Sequence, residues 1–550
     1  MAVITFSRKQ FEKEVGKLDE EMQEKIAMFG TPLENFDNNE IQIEVFPNRP
    51  DLLSYHGFKR AFLAFLGKKT GLKEYKINKP EKDYKVSIES SVKDIRPFTA
   101  CAIVKGLKLD DEKIKEIIEI QEKLHSTLGR NRKKIAIGIY PLEKINLPII
   151  YKALEPDKIK FIPLEYEKEM SGFEILQKHP TGREYAPLLS GKTKFPVFID
   201  SDKNILSMPP VINSQMTGKI TEKTKDVFVE CSGFDFEVLK KCLNIVVTCL
   251  GDMGGEIYQV ELTGAKKENT PDIKTKKMKI SLENTNKLLG LDLDEKHLKN
   301  LIERMGHNYS KKEVESPSWR TDLLHEVDLI EEVAIAYGYE KFVPEIPKIS
   351  VTGVEDKKEI IKRKISEILS GVGMLEISNF HLTTEKDQFT KMGFPEKVRK
   401  KCVEIENSKT DYTILRKDLL HYILKIFSEN IDSEYPQKIF ESGKIFDIDS
   451  SENIIEEENL AAAVSPGDFT QIKQILDYLF SMINIKIELK EESSKDAYTP
   501  FIEGRVASIF VEGEKIGLIG EIHPKILKNL KIKMPVAIFE ISLEKVFRKI

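Results

Sequence analysis

The chain has 550 residues, several times the ~100–200 residues of one domain, so about four domains with several hydrophobic cores are expected. Its 86 basic and 90 acidic residues leave a net charge of −4, which excludes a protein that coats nucleic acid by charge alone while leaving room for a local basic patch. Five scattered cysteines without a Cys-x-x-Cys pair exclude a zinc ribbon or thioredoxin-like site and suit reduced thiols in the cytoplasm.

No apolar run approaches the roughly 18 residues of a membrane span, and the N-terminus lacks the apolar stretch of a signal peptide. Taken in chain order, Val3–Phe6 is strand-like and a charged helical pattern follows. The turn-rich FPNRPDLLS, Phe46 to Ser54, then leads into a helix with Phe58, Ala61, Phe62 and Phe65 on one face. Asp51 is placed to cap that helix. Residues 76–83 are polar and proline-interrupted, and read as a linker.

Residues 84–265 mix strands (VSIES, TACAIVKGL, IAIGIYPL, FPVFI, DVFVECSG) with helices over Ile114–Leu128 and Val238–Leu250. A second linker is expected over 266–277. Residues 278–348 read strand, helix (Leu298–Met305), strand, helix (Val327–Tyr337), closed by PEIPKISVTG. From residue 351 onward, a helix at Glu359–Leu369 precedes strand-like runs, with KIFESGKIFDI and the hairpin RVASIFVEGEKIGLIGEIHP the clearest.

Two clusters carry chemistry by residue type alone. Asp322, Asp328, Glu331 and Glu332 gather oxygen donors at the start of a helix, a set suited to a hard cation such as Mg²⁺. The same residues also read as a solvated acidic helix start that complements the macrodipole. Arg130, Arg132, Lys133 and Lys134 form a basic cluster beside a strand, suited to phosphate. His125, on the helix before it, reads as a packed or capping histidine. No P-loop, dinucleotide fingerprint, His-Glu-x-x-His or nucleophile elbow occurs.

The string P-S-W-R-x-D, then D-L-I-E-E-V-A, then Y-G-Y resembles the B5 domain of phenylalanyl-tRNA synthetase β subunits. FPNRPDLLS resembles their N-terminal domain. QEKLHSTLGRNRKKIAIGIY with HPTGREYAPLL and ILSMPPVINS resembles the B3/B4 editing domain of the archaeal/cytosolic type. Residues 351–550 resemble their catalytic-like module. The resemblance is ordered along the whole chain. It implies an α+β multidomain protein: an N-terminal B1-like domain over 1–80, an α/β editing domain over 84–265, a B5 domain over 275–348, and a class II synthetase-like antiparallel module over 350–550.

The resemblance also implies partners and sites. These are an α subunit in an (αβ)₂ heterotetramer, tRNA(Phe), and phenylalanine and ATP bound through α. Asp322, Asp328, Glu331 and Glu332 are then Mg²⁺ ligands. The editing domain hydrolyses tyrosine wrongly joined to tRNA(Phe), because an apolar synthetic pocket rejects an added hydroxyl weakly while a second site can hold that hydroxyl. Expected editing residues are Leu206, Ser207, Asn213, Ser214, Thr217, Glu230 and Ser232, with no covalent nucleophile. Bacterial relatives carry an OB-fold insert and a C-terminal anticodon-binding domain, and neither is expected here. A working class II site needs two arginines beside strand carboxylates. KIFESGKIFD offers Glu441 and Lys444, and Gly513–Gly520 leads to Glu521 and His523, with no arginine in either run. Adenylation is therefore expected on α. A structural partner without activity, or a free-standing RNA-binding or deacylating protein, would fit the same residues less fully.

Overall fold

The structure is a computed structural model and describes residues 2–264, 267–348, 352–394, 402–451, 453–492 and 500–549. The chain divides into two compact units, Met1–Ile346 and Pro347–Ile550.

In the first unit the N-terminal strand Ala2–Ser7 pairs antiparallel with Glu40–Val45. Pro50 starts a 3₁₀ turn, Pro50–Leu52, and Ser54 caps the helix Tyr55–Phe65 by accepting a hydrogen bond from the Gly57 amide. Ser54 therefore takes the role expected of Asp51, which is buried and held by Arg49. A side chain at Gly57 would collide with the Asp51 carbonyl, so only glycine lets the helix start so close to the turn. Phe58, Phe62 and Phe65 form the apolar face as expected, with the Phe58 and Phe62 rings stacked at 5.2 Å.

An 11-stranded sheet, among the described residues, follows. Its strand Val227–Gly233, next to the edge, is buried throughout and runs antiparallel between Phe98–Lys105 and the edge strand Ile135–Pro141. Strands buried on both faces carry continuous apolar runs rather than alternation, as IAIGIYP does. Helices Asp111–Ser126 and Phe236–Asp252 cover one face. Both expected linkers are partly strand. Ile77–Asn78 and Glu268–Thr270 pair with Glu256–Thr263 at the sheet, because their backbone groups find partners there that polar composition does not reveal.

One hydrophobic core runs from Ala2 to Ala336, so the stretches expected as three separate domains fold against one another. Buried charge reinforces the junction. Arg49 and Asp51 of the turn, Arg60 of the next helix, Asp252 at the end of the long helix, and Trp319 and Arg320 meet around one hollow. Arg60 donates to Asp252 at 2.5 Å and lies over the Trp319 ring at 4.5 Å. The region after Lys276 holds helices Leu282–Leu289, Glu295–Arg304 and Glu326–Tyr337 around a three-stranded sheet. The first of these helices is absent from the sequence reading. Residues 349–351 of the closing PEIPKISVTG lie outside the described residues.

The second unit carries the expected antiparallel sheet, among the described residues seven strands with one short parallel edge, Leu375–Glu376. Alternation along Ile454–Ser465 sends Leu460, Ala462 and Val464 to one core and Ala461 and Ala463 to the other. Helices Lys357–Gly371 and Phe469–Met482 pack on the first face, and Leu420–Glu429 and Pro524–Asn529 on the second.

Candidate active site

The sheet of the first unit opens beside Glu230 into a cavity of about 710 Å³. Apolar walls come from Ile117, Ile137, Ile139, Val211 and Ile212, and polar groups from Ser207, Asn213, Glu230, His125, His179 and Tyr185. Glu230 pairs across the sheet with Gly138. A Cβ at Gly138 would overlap the Tyr140 hydroxyl and come within 2.7 Å of Glu230 Oε1. The absent side chain makes the room in which the polar cluster assembles. Tyr140 donates to Ser207 Oγ at 2.8 Å, and its hydroxyl lies 3.3 Å from both Asn213 Oδ1 and Glu230 Oε1.

Burial raises the Glu230 carboxyl to about 8, although Arg96 and hydrogen bonds from Tyr140 and Ser232 oppose the shift. At neutral pH it is a carboxylic acid, able to donate and to accept. Its Oε2 is buried with no hydrogen-bond partner among the described residues, which leaves water or a ligand to satisfy it. The sign of the pH dependence follows. Between the ordinary value of 4.5 and about 8 the native carboxyl keeps a proton that the unfolded chain has released, so stability falls as pH rises through that window. Urea unfolding followed by a probe in the first unit is expected to give a midpoint that declines over this range in wild type and is flatter in Glu230→Gln.

Of the seven expected editing residues, Ser207, Asn213 and Glu230 line the cavity. The other four do not. Leu206 is core, Ser214 Oγ accepts from the Met216 amide, Thr217 donates to the Leu206 carbonyl, and Ser232 Oγ accepts from Arg96 Nε at 3.2 Å. His125 and His179 also line the cavity, and Tyr140 and Gly138 lie against Glu230 behind it, none of them among the expected editing residues. His125 Nε2 accepts from the Ile137 amide at 2.8 Å, so its imidazole is fixed, and burial lowers its pKa. Among the described residues no cysteine lines the cavity, and its hydroxyl groups include Ser207 and Thr181. Cys101 and Cys231 are buried, and burial pushes both thiols up.

The basic cluster divides. Arg132 bonds the Val211 carbonyl at 2.9 Å, pairs with Glu122 and lies over the Tyr185 ring at 4.4 Å. It is part of the cavity wall rather than a free phosphate contact. Arg130, Lys133 and Lys134 have no ion pair among the described residues.

The acidic set does not converge. Arg320, buried, donates through Nε and Nη2 to Asp322 at 2.9 and 2.6 Å. Through Nη1 and Nη2 it donates to Glu332 at 3.0 and 2.8 Å. Burial opposes ionisation of Glu332, but Arg320 and His307 override it and hold the carboxyl well below the usual range. Asp328 Oδ2 accepts from the Leu324 and His325 amides at 2.7 Å, closing the N-terminus of helix Glu326–Tyr337. Glu331 is exposed on the side shared with Asp328. Among the described residues no three His, Cys, Asp or Glu are grouped to hold a metal. The expectation of one four-carboxylate Mg²⁺ site therefore does not fit. Glu331 and Glu332, adjacent on the helix, point about 100° apart, and the cation that Asp322 and Glu332 require is Arg320.

In the second unit Glu441 does meet an arginine. Arg416 donates to Glu441 Oε1 at 2.5 Å and to the Lys444 carbonyl at 2.7 Å, in the room left by Gly443. Arg505 pairs with Glu521 at 2.6 Å. KIFESGKIFD and Gly513–Gly520 hold no arginine of their own, as read, and the arginines that pair with Glu441 and Glu521 arrive from elsewhere in the chain. Arg416 is 1% exposed, with its guanidinium directed to Glu441 and the Lys444 carbonyl.

Residues 278–339 match the family described as tRNA synthetase B5 domain, and residues 343–543 match the phenylalanyl tRNA synthetase beta chain CLM domain. The phenylalanine–tRNA ligase β subunit of Thermococcus sibiricus is 41% identical over 91% of this chain and 90% of its own. That of Archaeoglobus fulgidus is 36% identical over 100% and 99%. A crystal structure of an N-terminal fragment of the phenylalanyl-tRNA synthetase β subunit from Pyrococcus horikoshii superposes with a TM-score of 0.59 at 36% identity, covering 61% of this chain and 99% of the fragment. With relatives of this similarity along nearly its whole length, the chain belongs to the phenylalanine–tRNA ligase β-subunit family.

Proposed function

We propose that this chain is the β subunit of a phenylalanine–tRNA ligase, in which an α subunit joins phenylalanine to tRNA(Phe) with ATP and this chain removes tyrosine attached in error. The assembly is an (αβ)₂ heterotetramer. The observation that carries the proofreading reading is the buried Glu230 Oε2, without a partner among the described residues, in a cavity that combines apolar walls from Ile117, Ile137, Ile139, Val211 and Ile212 with polar groups. An aromatic side chain is accommodated by those walls, and a phenolic hydroxyl finds Glu230, Ser207 or Asn213. A phenyl group leaves them unsatisfied, which costs about 1–3 kcal/mol per buried group. Water attacks the ester, and the cavity contributes orientation rather than a covalent intermediate.

ATP and its Mg²⁺ are assigned to α. Burial of Arg416 supports a second unit that does not adenylate. Asp322, Asp328, Glu331 and Glu332 supply no step. Five buried cysteines without a Cys-x-x-Cys pair suit a reducing cytoplasm, and no described helix is long and apolar enough to cross a membrane.

Aminoacylation tests the subunit assignment. The chain alone charges no tRNA(Phe), and charging appears on addition of α at equal concentration. Charging by the isolated chain, or a stable monomer indifferent to α, would overturn the reading.

A further inference from the structure

A second depression of the first unit, a groove of about 1070 Å³, lies between the Phe46–Pro50 turn and the segment from Lys123 to Lys134. Three cations line it, Lys123, Arg130 and Lys134, and none has an ion pair among the described residues. The carboxylate on its rim, Asp235, is occupied in capping the helix Phe236–Asp252. Two phenylalanines on the rim are unusually open: Phe46 is 39% and Phe234 is 54% exposed. Unpaired cations beside exposed aromatic faces are the two components of single-strand binding, one for the phosphates and one for stacking bases.

The backbone that presents Arg130 is itself unusual. Arg130, Asn131 and Arg132 take φ values of 48, 53 and 61° in succession. Non-glycine residues adopt this left-handed region at a cost of order 1–3 kcal/mol each. The turn sends Arg132 into the cavity wall at Val211 and Tyr185, and Arg130 to the groove. It is therefore the partition shared by groove and cavity.

We propose that this groove binds a single-stranded RNA segment, the 3′ end of the tRNA, laying its phosphates on Lys123, Arg130 and Lys134 and its bases on Phe46 and Phe234, so that the terminal aminoacyl nucleotide is delivered past the turn to the Glu230 cavity. The proposal rests on the proofreading reading above. Charge favours RNA over a peptide. The groove offers cations without partners and no free carboxylate for a basic or neutral segment.

The test measures binding of the full chain with its α partner to a tRNA(Phe) transcript and to the same transcript lacking its 3′ single-stranded end. The triple variant Lys123→Ala, Arg130→Ala, Lys134→Ala is expected to bind the full transcript at least tenfold more weakly with a shallower salt dependence. On the shortened transcript the difference from wild type should vanish. Phe46→Ala with Phe234→Ala should weaken binding about tenfold with the salt slope unchanged. An equal loss on both transcripts would overturn the assignment to the 3′ end. Unchanged RNA affinity with failed assembly on α would make the groove a protein interface and overturn the proposal. These readouts are independent of hydrolysis, so a chain that binds the 3′ end here yet leaves Tyr-tRNA(Phe) intact refutes proofreading and not the groove.

Discussion

Replacing Arg320 by alanine is expected to destabilise the first unit by about 3–5 kcal/mol, the cost of leaving buried charges without a partner. Asp322 and Glu332 are held by one guanidinium, with His307 Nε2 3.4 Å from Glu332. Glu332 is 5% exposed, so neither water nor a shift of the side chain can replace Arg320. Glu332→Ala leaves Arg320 partly unpaired and should cost a similar amount. Glu331→Ala, at an exposed position, should change stability by no more than about 0.5 kcal/mol. Denaturant unfolding of the full chain measures all three. A chelator should leave the wild-type midpoint unchanged, because an arginine holds this cluster together. Equal effects of Glu331→Ala and Glu332→Ala, or a midpoint lowered by chelator, would restore a metal shared among the four carboxylates.

In the assembled enzyme, Glu230→Ala should slow hydrolysis of Tyr-tRNA(Phe) by about 10–100-fold, the equivalent of one buried hydrogen bond of about 1.5–3 kcal/mol to the phenolic hydroxyl. Removing the carboxyl takes away a buried cavity oxygen that has no hydrogen-bond partner among the described residues. Glu230→Gln should retain most of the activity near neutral pH, since the native carboxyl is protonated there and an amide also donates and accepts. Charging with phenylalanine should be unaffected by either change. Single-turnover deacylation of both aminoacyl-tRNAs gives the rates. Negligible hydrolysis in wild type and Glu230→Ala alike would leave this chain a structural partner only.

The two predictions draw on different layers of information. Periodicity and turn chemistry are properties of consecutive residues. The sequence alone therefore determined the phenylalanine face of helix Tyr55–Phe65, the buried strands Ile135–Pro141 and Val227–Gly233, the hairpin of the second unit, and the family to which the ordered motifs point. Through the resemblance of their segments to the editing domain it also put Glu230, Ser207 and Asn213, which line the cavity, among its seven candidates.

What it could not determine were partners set by register and packing. Gly138 faces Glu230 only because two strands pair at that register, and Tyr140 reaches Ser207 across 67 residues. Arg416 meets Glu441 from 25 residues away. Arg320 and Glu332 are 12 apart on different elements, so two of the four carboxylates that read as a cation site in the sequence are paired with an arginine in the fold. Spacing along a helix constrains which side chains can share a face. Which charge lies opposite that face, and whether water is excluded between them, is decided by tertiary packing.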